Sequence, residues 1–214
     1  MKNGFIKVAA ASPVIRVADP DYNAEQIKAV LEEAGSQGVK VLVFPALTLT
    51  GCSCYDLFRH RVLLQGAEQA LLNVLPATEG RDMLVFVGLP LAVGAKVYSV
   101  AAALYEGEIL ALIPRTDASD AYFSVPEPGS CVDVELEGYG AVTMTDEVLF
   151  QHEQLADLQV AVEVGATLDR FCSAAALRAA AGASVLAEMA LNLFILLFLL
   201  LFIFILLFIY WLKL

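Results

Sequence analysis

Cysteine and histidine are scarce in this chain, which has 4 cysteines and 2 histidines among its 214 residues. The cysteines show neither the density of a disulfide scaffold nor the Cys-x-x-Cys spacing of a metal knuckle, and the histidines show no metal-ligand spacing. The six residues are Cys52, Cys54, Cys131, Cys172, His60 and His152. This pattern favours a reducing compartment and predicts no metal site, with surface or helix-capping roles for the histidines.

Basic residues are also few, since 13 lysines and arginines face 24 acidic residues and leave a formal net charge of −11. An acidic surface repels the phosphate backbone, so we expect no nucleic-acid partner. Glycine-rich phosphate loops are absent as well: the chain contains neither Gly-x-Gly-x-x-Gly nor a Walker-type sequence. The sequence therefore predicts no cofactor.

Charge is missing altogether from residues 189–212, where every residue except Asn192 is apolar or aromatic. A helix of that length extends roughly 36 Å and crosses a hydrocarbon core of about 30 Å. The sequence thus predicts a transmembrane helix that anchors a cytoplasmic body at its C-terminus. An alternative stays open, because residues 193–209 are only Leu, Phe and Ile, whose codons are rich in T, and a frameshift would produce the same run.

The body, residues 1–188, alternates apolar strands with amphipathic helices, which indicates a layered α/β protein with mixed sheets. Asn23 is the expected N-cap of the first helix, and Glu106-Gly107 is a two-residue hairpin signal. A loop rich in Asp, Ser, Pro and Gly covers 115–131. We predict strands over 6–11, 39–44, 83–88, 97–105, 108–113, 132–136, 141–144, 158–164 and 184–186, and helices over 24–34, 62–75 and 173–181.

Four segments carry a family resemblance: VKVLVFPALTLTGCSCYDLF (39–58), DMLVFVGLPL (82–91), GEILALIPRT (107–116) and AAAGASVLAEMALN (179–192). Together they resemble the nitrilase-like carbon-nitrogen hydrolases, and specifically the N-terminal glutaminase domain of glutamine-dependent NAD synthetase. The resemblance implies a nitrilase-like α-β-β-α sandwich. It ends at Asn192, so we expect an incomplete sandwich followed by one hydrophobic helix.

The family chemistry implies a cysteine thiolate that attacks the glutamine amide, a glutamate base, and a lysine that stabilises the oxyanion. The matching positions carry other residues. Ala46 follows the Phe-Pro where the family has its glutamate, and Arg115 follows the proline that closes the hairpin, where the family has its lysine. The best match to the nucleophile segment is EVGATL (163–168), which puts Gly165 at the cysteine position. The resemblance therefore implies a degenerate domain that has lost amide hydrolysis.

Two alternatives remain open at this point. One is a weak amidase that works through Cys52 or Cys54, with Arg115 as the oxyanion group. The other is a membrane-tethered interaction module, because family members associate through helical faces and the partner would be a second copy or a complete synthetase. The family's ATP-binding Ser-Gly-Gly-x-Asp-Ser loop is absent.

The remaining carboxylates of the body have no assigned site. Glu163 matches a glutamate of the family and is expected to form a hydrogen bond to nearby backbone. A solvated surface accounts for the carboxylates in and beside the long loop, which are Asp117, Asp120, Glu127 and Asp133. The oligomeric state, and a ligand in the former active-site pocket, stay open.

Overall fold

The structure is a computed structural model that describes residues 5–117, 121–165 and 174–190. Within these ranges the strands are β1 (Val8–Ala10), β2 (Val41–Val43), β3 (Leu84–Val93), β4 (Lys96–Tyr105), β5 (Glu108–Pro114), β6 (Cys131–Leu136), β7 (Gly140–Thr145), β8 (Phe150–His152), β9 (Leu155–Val164) and β10 (Val185–Met189). The α-helices are α1 (Pro20–Ser36), α2 (Arg61–Val74) and α3 (Ala174–Ala180), and 3₁₀ helices cover Tyr55–Arg59 and Leu75–Thr78. The predicted alternation of strands and helices is confirmed.

The larger sheet has seven strands in the order β1-β2-β3-β4-β5-β7-β6. Strands β1, β2 and β3 are parallel neighbours, and α1 and α2 connect them. Strands β3, β4 and β5 continue as antiparallel hairpins. The predicted turn at Glu106-Gly107 is confirmed, since both residues have positive φ (46° and 82°), as a type I′ turn requires.

Helices α1 and α2 pack on one face of this sheet. Ile27 and Leu31 of α1 and Leu71 of α2 are fully buried in one cluster with alternate residues of β3. The intervening residue Phe86 faces the opposite side, in a second cluster. Strand β3 is therefore covered on both faces, which explains why its sequence is almost continuously apolar.

The second sheet has the order β10-β9-β8 within the described residues. Leu158, Val160, Val162 and Val164 of β9 point into the second cluster, toward the small side chains of β4 such as Ala101. The intervening Glu163 points outward and lies against Arg178 of α3. The layers are therefore helices, sheet, sheet and helix, which is the order predicted for an α-β-β-α sandwich.

The first helix begins earlier than predicted. Asp19, not Asn23, is its N-cap: the Asp19 carboxylate accepts a hydrogen bond from the backbone N–H of Tyr22 at 3.2 Å. Pro20 occupies the first turn, where a missing N–H costs nothing and the fixed φ suits the helix. The Asn23 amide is instead buried and binds backbone carbonyls of Arg16 and Leu49.

The C-terminal boundary of the body also needs correction, because Met189 is the last residue of β10 rather than the first residue of an apolar helix. Met189 is buried in the core between the sheets, and its carbonyl accepts the Gly165 N–H at 3.1 Å. The rest of the predicted transmembrane segment, from residue 191 onward, lies outside the described residues. None of the helices in the described ranges has the length and apolar character needed to span a membrane.

Candidate functional site

The three positions that match the family's catalytic glutamate, lysine and cysteine lie at the carboxyl ends of strands. Ala46 follows β2, Arg115 comes directly after β5, and Gly165 comes directly after β9. Ala46 is 6% exposed and belongs to the core between the sheets. That same core contains Ile113, two residues before Arg115, and Val164, the neighbour of Gly165. The fold therefore brings the ends of these strands to one region.

Gly88 of β3 lets the chain at Ala46 approach the sheet closely. A Cβ built on Gly88 would lie 2.5 Å from the Leu47 amide nitrogen and 2.8 Å from the Cα of Ala46. These are backbone atoms that cannot rotate away, so only glycine fits at this position. The result is a tightly packed corner where the family has its general base and this chain has a methyl group.

Arg115 forms a buried ion pair with Asp117, two residues further along. The Arg115 Nε lies 2.5 Å from Asp117 Oδ1, and Nη2 donates to Oδ2 at 2.9 Å. Arg115 is 6% exposed and Asp117 is 4% exposed. The expectation of a solvated surface role for Asp117 is therefore wrong, because two parallel charge-assisted hydrogen bonds hold it inside the protein.

Asp117 occupies the space in front of Gly165. A Cβ built on Gly165 would overlap Asp117 Oδ1 and would lie 3.1 Å from Asp117 Cγ and 3.4 Å from Arg115 Cγ. Gly165 also has a φ of 114°, which side-chain-bearing residues rarely adopt. Gly165 therefore has neither the space nor the backbone conformation for a cysteine, and the neighbouring cation is already paired with a carboxylate.

Glu163 lies on the opposite face of β9 from this corner. It is 1% exposed, and its Oε2 lies 3.7 Å from Arg178 Nη1. Arg178 also donates through Nη2 to the Asp146 carbonyl at 3.0 Å, which connects α3 to the segment before β8. No local sequence pattern indicates this pairing, because Arg178 and Glu163 are brought together only by the packing of α3 on β9.

The two cysteines proposed as alternative nucleophiles differ in environment. Cys54 is buried beside Leu47 and Phe58, and its thiol donates to the Thr50 carbonyl at 3.2 Å. Burial raises the pKa of the Cys54 thiol, which opposes formation of the thiolate. Cys52 is exposed, with its sulfur 3.9 Å from the Ser53 hydroxyl.

The remaining candidates are dispersed. Glu127 is exposed, Asp133 accepts a hydrogen bond from the Thr143 hydroxyl at 2.9 Å, and Cys131 is exposed. His60 is the N-cap residue of α2, but its side chain makes no capping hydrogen bond. Asp120 and Cys172 lie outside the described residues. In the part of the chain that the structure describes, no group of three or more His, Cys, Asp or Glu side chains could hold a metal ion.

His152 lies on β8, away from these positions, among polar side chains at the opposite ends of the parallel strands. Its Nε2 is 3.5 Å from Asp82 Oδ1. Asp82 also binds Lys40 and accepts a hydrogen bond from the Tyr105 hydroxyl at 3.0 Å. The Lys40 hydrogen bond is the main cause that lowers the pKa of Asp82, and burial is the main cause that raises the pKa of Tyr105 to about 12.

Comparison with known proteins gives consistent relatives, although no protein-family model matches the chain. The chain is 29% identical over 196 residues to a glutamine-dependent NAD(+) synthetase of Mycobacterium tuberculosis. The matched region covers 88% of this chain and 28% of that protein. It is 29% identical over 161 residues to the corresponding synthetase of Xylella fastidiosa, covering 72% of this chain and 29% of the relative. This chain thus spans less than a third of the length of these relatives.

Solved structures agree on the fold. A glutamine-dependent NAD(+) synthetase from Cytophaga hutchinsonii superposes with a TM-score of 0.72 at 18% identity, covering 86% of this chain and 30% of that one. An amidase of the nitrilase superfamily from Nesterenkonia superposes with a TM-score of 0.63 at 18% identity, covering 86% of this chain and 64% of that one. The chain is therefore a homologue of glutamine-dependent NAD(+) synthetases, with a nitrilase-like fold.

Proposed function

We propose that this chain is a degenerate relative of the glutaminase domain of glutamine-dependent NAD(+) synthetase and has no amide hydrolase activity. The observation that carries the proposal is the Asp117 carboxylate, which fills the space beside Gly165 where the resemblance puts a nucleophile. Hydrolysis of an amide needs an attacking group, a base and an oxyanion donor in one place. At the matching positions this chain has Gly165, Ala46 and Arg115, and Arg115 is already paired with the Asp117 carboxylate.

Arg115 does not compensate for the two missing groups. A guanidinium group does not act as a proton donor in general acid catalysis, so Arg115 cannot supply the proton that the leaving amine needs. Both its Nε and its Nη2 point at Asp117, and an oxyanion would have to compete with that buried carboxylate. Catalytic groups that act together are strongly non-additive, so one remaining cation does not sustain the rate.

The alternative of a weak amidase depends on Cys52, because burial and the hydrogen bond to Thr50 disfavour the thiolate of Cys54. Cys52 is accessible to solvent. However, the contacts of the described residues pair neither histidine with Cys52: His60 precedes α2 without a capping hydrogen bond from its side chain, and the His152 ring lies beside Asp82. An accessible thiol without a base is a poor nucleophile near neutral pH.

Ammonia release from glutamine by the full chain tests the proposal. We expect no turnover above the uncatalysed background, measured with a coupled glutamate dehydrogenase assay. A synthetase relative with an intact triad serves as the positive control. Turnover that is abolished by Cys52→Ala would establish the amidase alternative, and turnover abolished by Cys54→Ala would do so through the buried thiol.

A further inference from the structure

A cavity of about 560 Å³ lies between the two sheets, at the end of the sandwich opposite to Gly165. Its walls come from the starts of β2 and β3, the end of β4, and strands β8 and β9. The lining includes none of Ala46, Arg115, Asp117 and Gly165. The volume is within the range of about 300–1,000 Å³ that is typical of small-molecule sites.

The floor of the cavity is apolar. It is formed by aliphatic side chains and one aromatic ring, among them Leu84, Leu110, Phe150 and Leu158. Phe150 is fixed by edge-on contact with Phe86, with ring centroids 5.5 Å apart, so the floor is held by the core between the sheets. Leu110 is 44% exposed although it lies in the middle of β5, so its apolar surface faces this opening. Such a floor suits a hydrocarbon or aromatic body.

The rim is polar and carries more negative than positive charge. Asp82, Glu106 and Glu153 contribute three carboxylates, whereas Lys40 contributes one cation. Lys40 is already paired with Asp82. His152 Nδ1 accepts the Gln154 N–H at 3.1 Å, and its Nε2 lies 3.5 Å from Asp82 Oδ1. Three carboxylates and one lysine leave a formal excess of two negative charges at the cavity mouth, with the histidine left out of the count.

Several of these rim groups have fixed positions. Glu106 accepts the Gly80 N–H at 2.6 Å and the Asp82 N–H at 2.7 Å, and Tyr105 donates to Asp82 at 3.0 Å. This network connects the turn between β4 and β5 with the segment before β3. A site whose polar groups are held before the ligand arrives loses less conformational entropy on binding.

We propose that this cavity binds a small hydrophobic amine, with the apolar body on the floor formed by Leu84, Leu110 and Phe150 and the ammonium group at the carboxylates of the rim. The proposal does not depend on the loss of amide hydrolysis, because the cavity shares no residue with the corner at Gly165. An anionic ligand of the same shape meets repulsion from the excess carboxylates, and a neutral one loses the charge attraction.

The two histidines of the chain provide a local test. His152 lines the cavity, and His60 directly precedes α2. The full chain is purified in a mild detergent without a histidine tag and labelled with ¹³C-histidine, so that His152 is the reporter and His60 the internal reference. Three probes with the same body are titrated at constant pH near neutrality: phenylpropylamine, phenylpropanol and phenylpropionate. His60→Gln assigns the resonances.

We expect phenylpropylamine to shift the His152 resonance saturably while His60 stays unchanged, and to bind about fivefold or more tightly than phenylpropionate. Leu110→Trp should fill the cavity and abolish the saturation. Leu186→Trp is the matched control, because Leu186 is also partly exposed on a strand but does not line the cavity. Glu153→Gln should reduce the preference for the amine, whereas Glu135→Gln on exposed β6 should not.

Three results would overturn the proposal. One is the absence of a saturable shift of His152 with the amine. Another is an amine that binds no more tightly than the alcohol or the carboxylate. The third is a Leu110→Trp protein that retains the original titration curve, since binding would then occur elsewhere.

Discussion

The Asp117 carboxylate lies where a side chain on residue 165 would have to begin. The resemblance to the family identifies positions 46, 115 and 165, and the apolar pattern of the sequence indicates the strand that precedes each of them. It does not identify Asp117, since the segment 115–131 is rich in Asp, Ser and Gly and is typical of a solvated loop. The contact between Asp117 and Gly165 is tertiary, so no local spacing encodes it.

Gly165→Ala should destabilise the protein more than Gly182→Ala does. Both glycines have nearly the same φ, 114° and 112°, so both substitutions pay about 1–3 kcal/mol of backbone strain. A Cβ on Gly182 would meet the Gln159 side chain at 2.8 Å, and that flexible group can rotate away. A Cβ on Gly165 would overlap the Asp117 carboxylate, which the buried Arg115 holds in place.

The free energy of unfolding, measured by urea denaturation with circular dichroism, separates the backbone strain, which both variants share, from the steric clash with Asp117. We expect Gly165→Ala to lose at least about 1 kcal/mol more than Gly182→Ala, in the range of other steric clashes in protein cores. Equal losses in the two variants would mean that Asp117 moves freely and does not fill the position.

At the scale of elements, hydrophobic periodicity predicts most strands and all three described helices, with ends within five residues of those observed. Strand β8 (Phe150–His152) is not predicted, because two of its three residues, Gln151 and His152, are polar and the segment has no apolar run. The start of α1 was placed too late because Asn23 and Gln26 fit the capping-box spacing, whereas Asp19 and Pro20 begin the helix. The local sequence contains two capping signals near this helix end, and the tertiary contacts of Asn23 decide which of them is used.

The tertiary role of Asn23 gives a prediction for α1. Asp19→Ala removes one partly exposed capping hydrogen bond and should cost about 1 kcal/mol. Asn23→Ala removes three hydrogen bonds to backbone: the side chain accepts from the Arg16 N–H at 2.7 Å and donates to the carbonyls of Arg16 and Leu49 at 2.8 Å and 2.9 Å. Asn23 is fully buried, so its loss leaves unsatisfied polar groups at roughly 1–3 kcal/mol each.

Thermal and urea unfolding of the two single variants checks this order. We expect Asn23→Ala to be the more destabilising by about 2 kcal/mol or more. If Asp19→Ala proved the more destabilising, the cap would matter more to α1 than the connection of α1 to the loop after β2.

At the scale of the whole molecule, the resemblance predicts the order of layers, because helix, sheet, sheet and helix follow from the family fold. The junction with the apolar tail is not predictable in this way. Residue 189 has the composition of the tail, but Met189 pairs with Val164 in parallel register and is 1% exposed in the core. Composition cannot separate a buried strand end from a following apolar run. A truncated protein should therefore end at Ala190, which preserves β10.

The full chain should partition into membranes or aggregate, whereas a chain that ends at Ala190 should stay in the aqueous phase. Residues 193–209 contain only Leu, Phe and Ile, and at roughly 25 cal/mol per Å² their transfer from water outweighs the solvation of the acidic body. Carbonate extraction of the two proteins side by side provides the measurement. Leu200→Arg is the matched control, because a charge at the centre of a spanning helix costs about 2.5–3.5 kcal/mol and should release part of the protein. A full chain that is monodisperse in detergent-free buffer would show instead that the tail packs within the body or an oligomer.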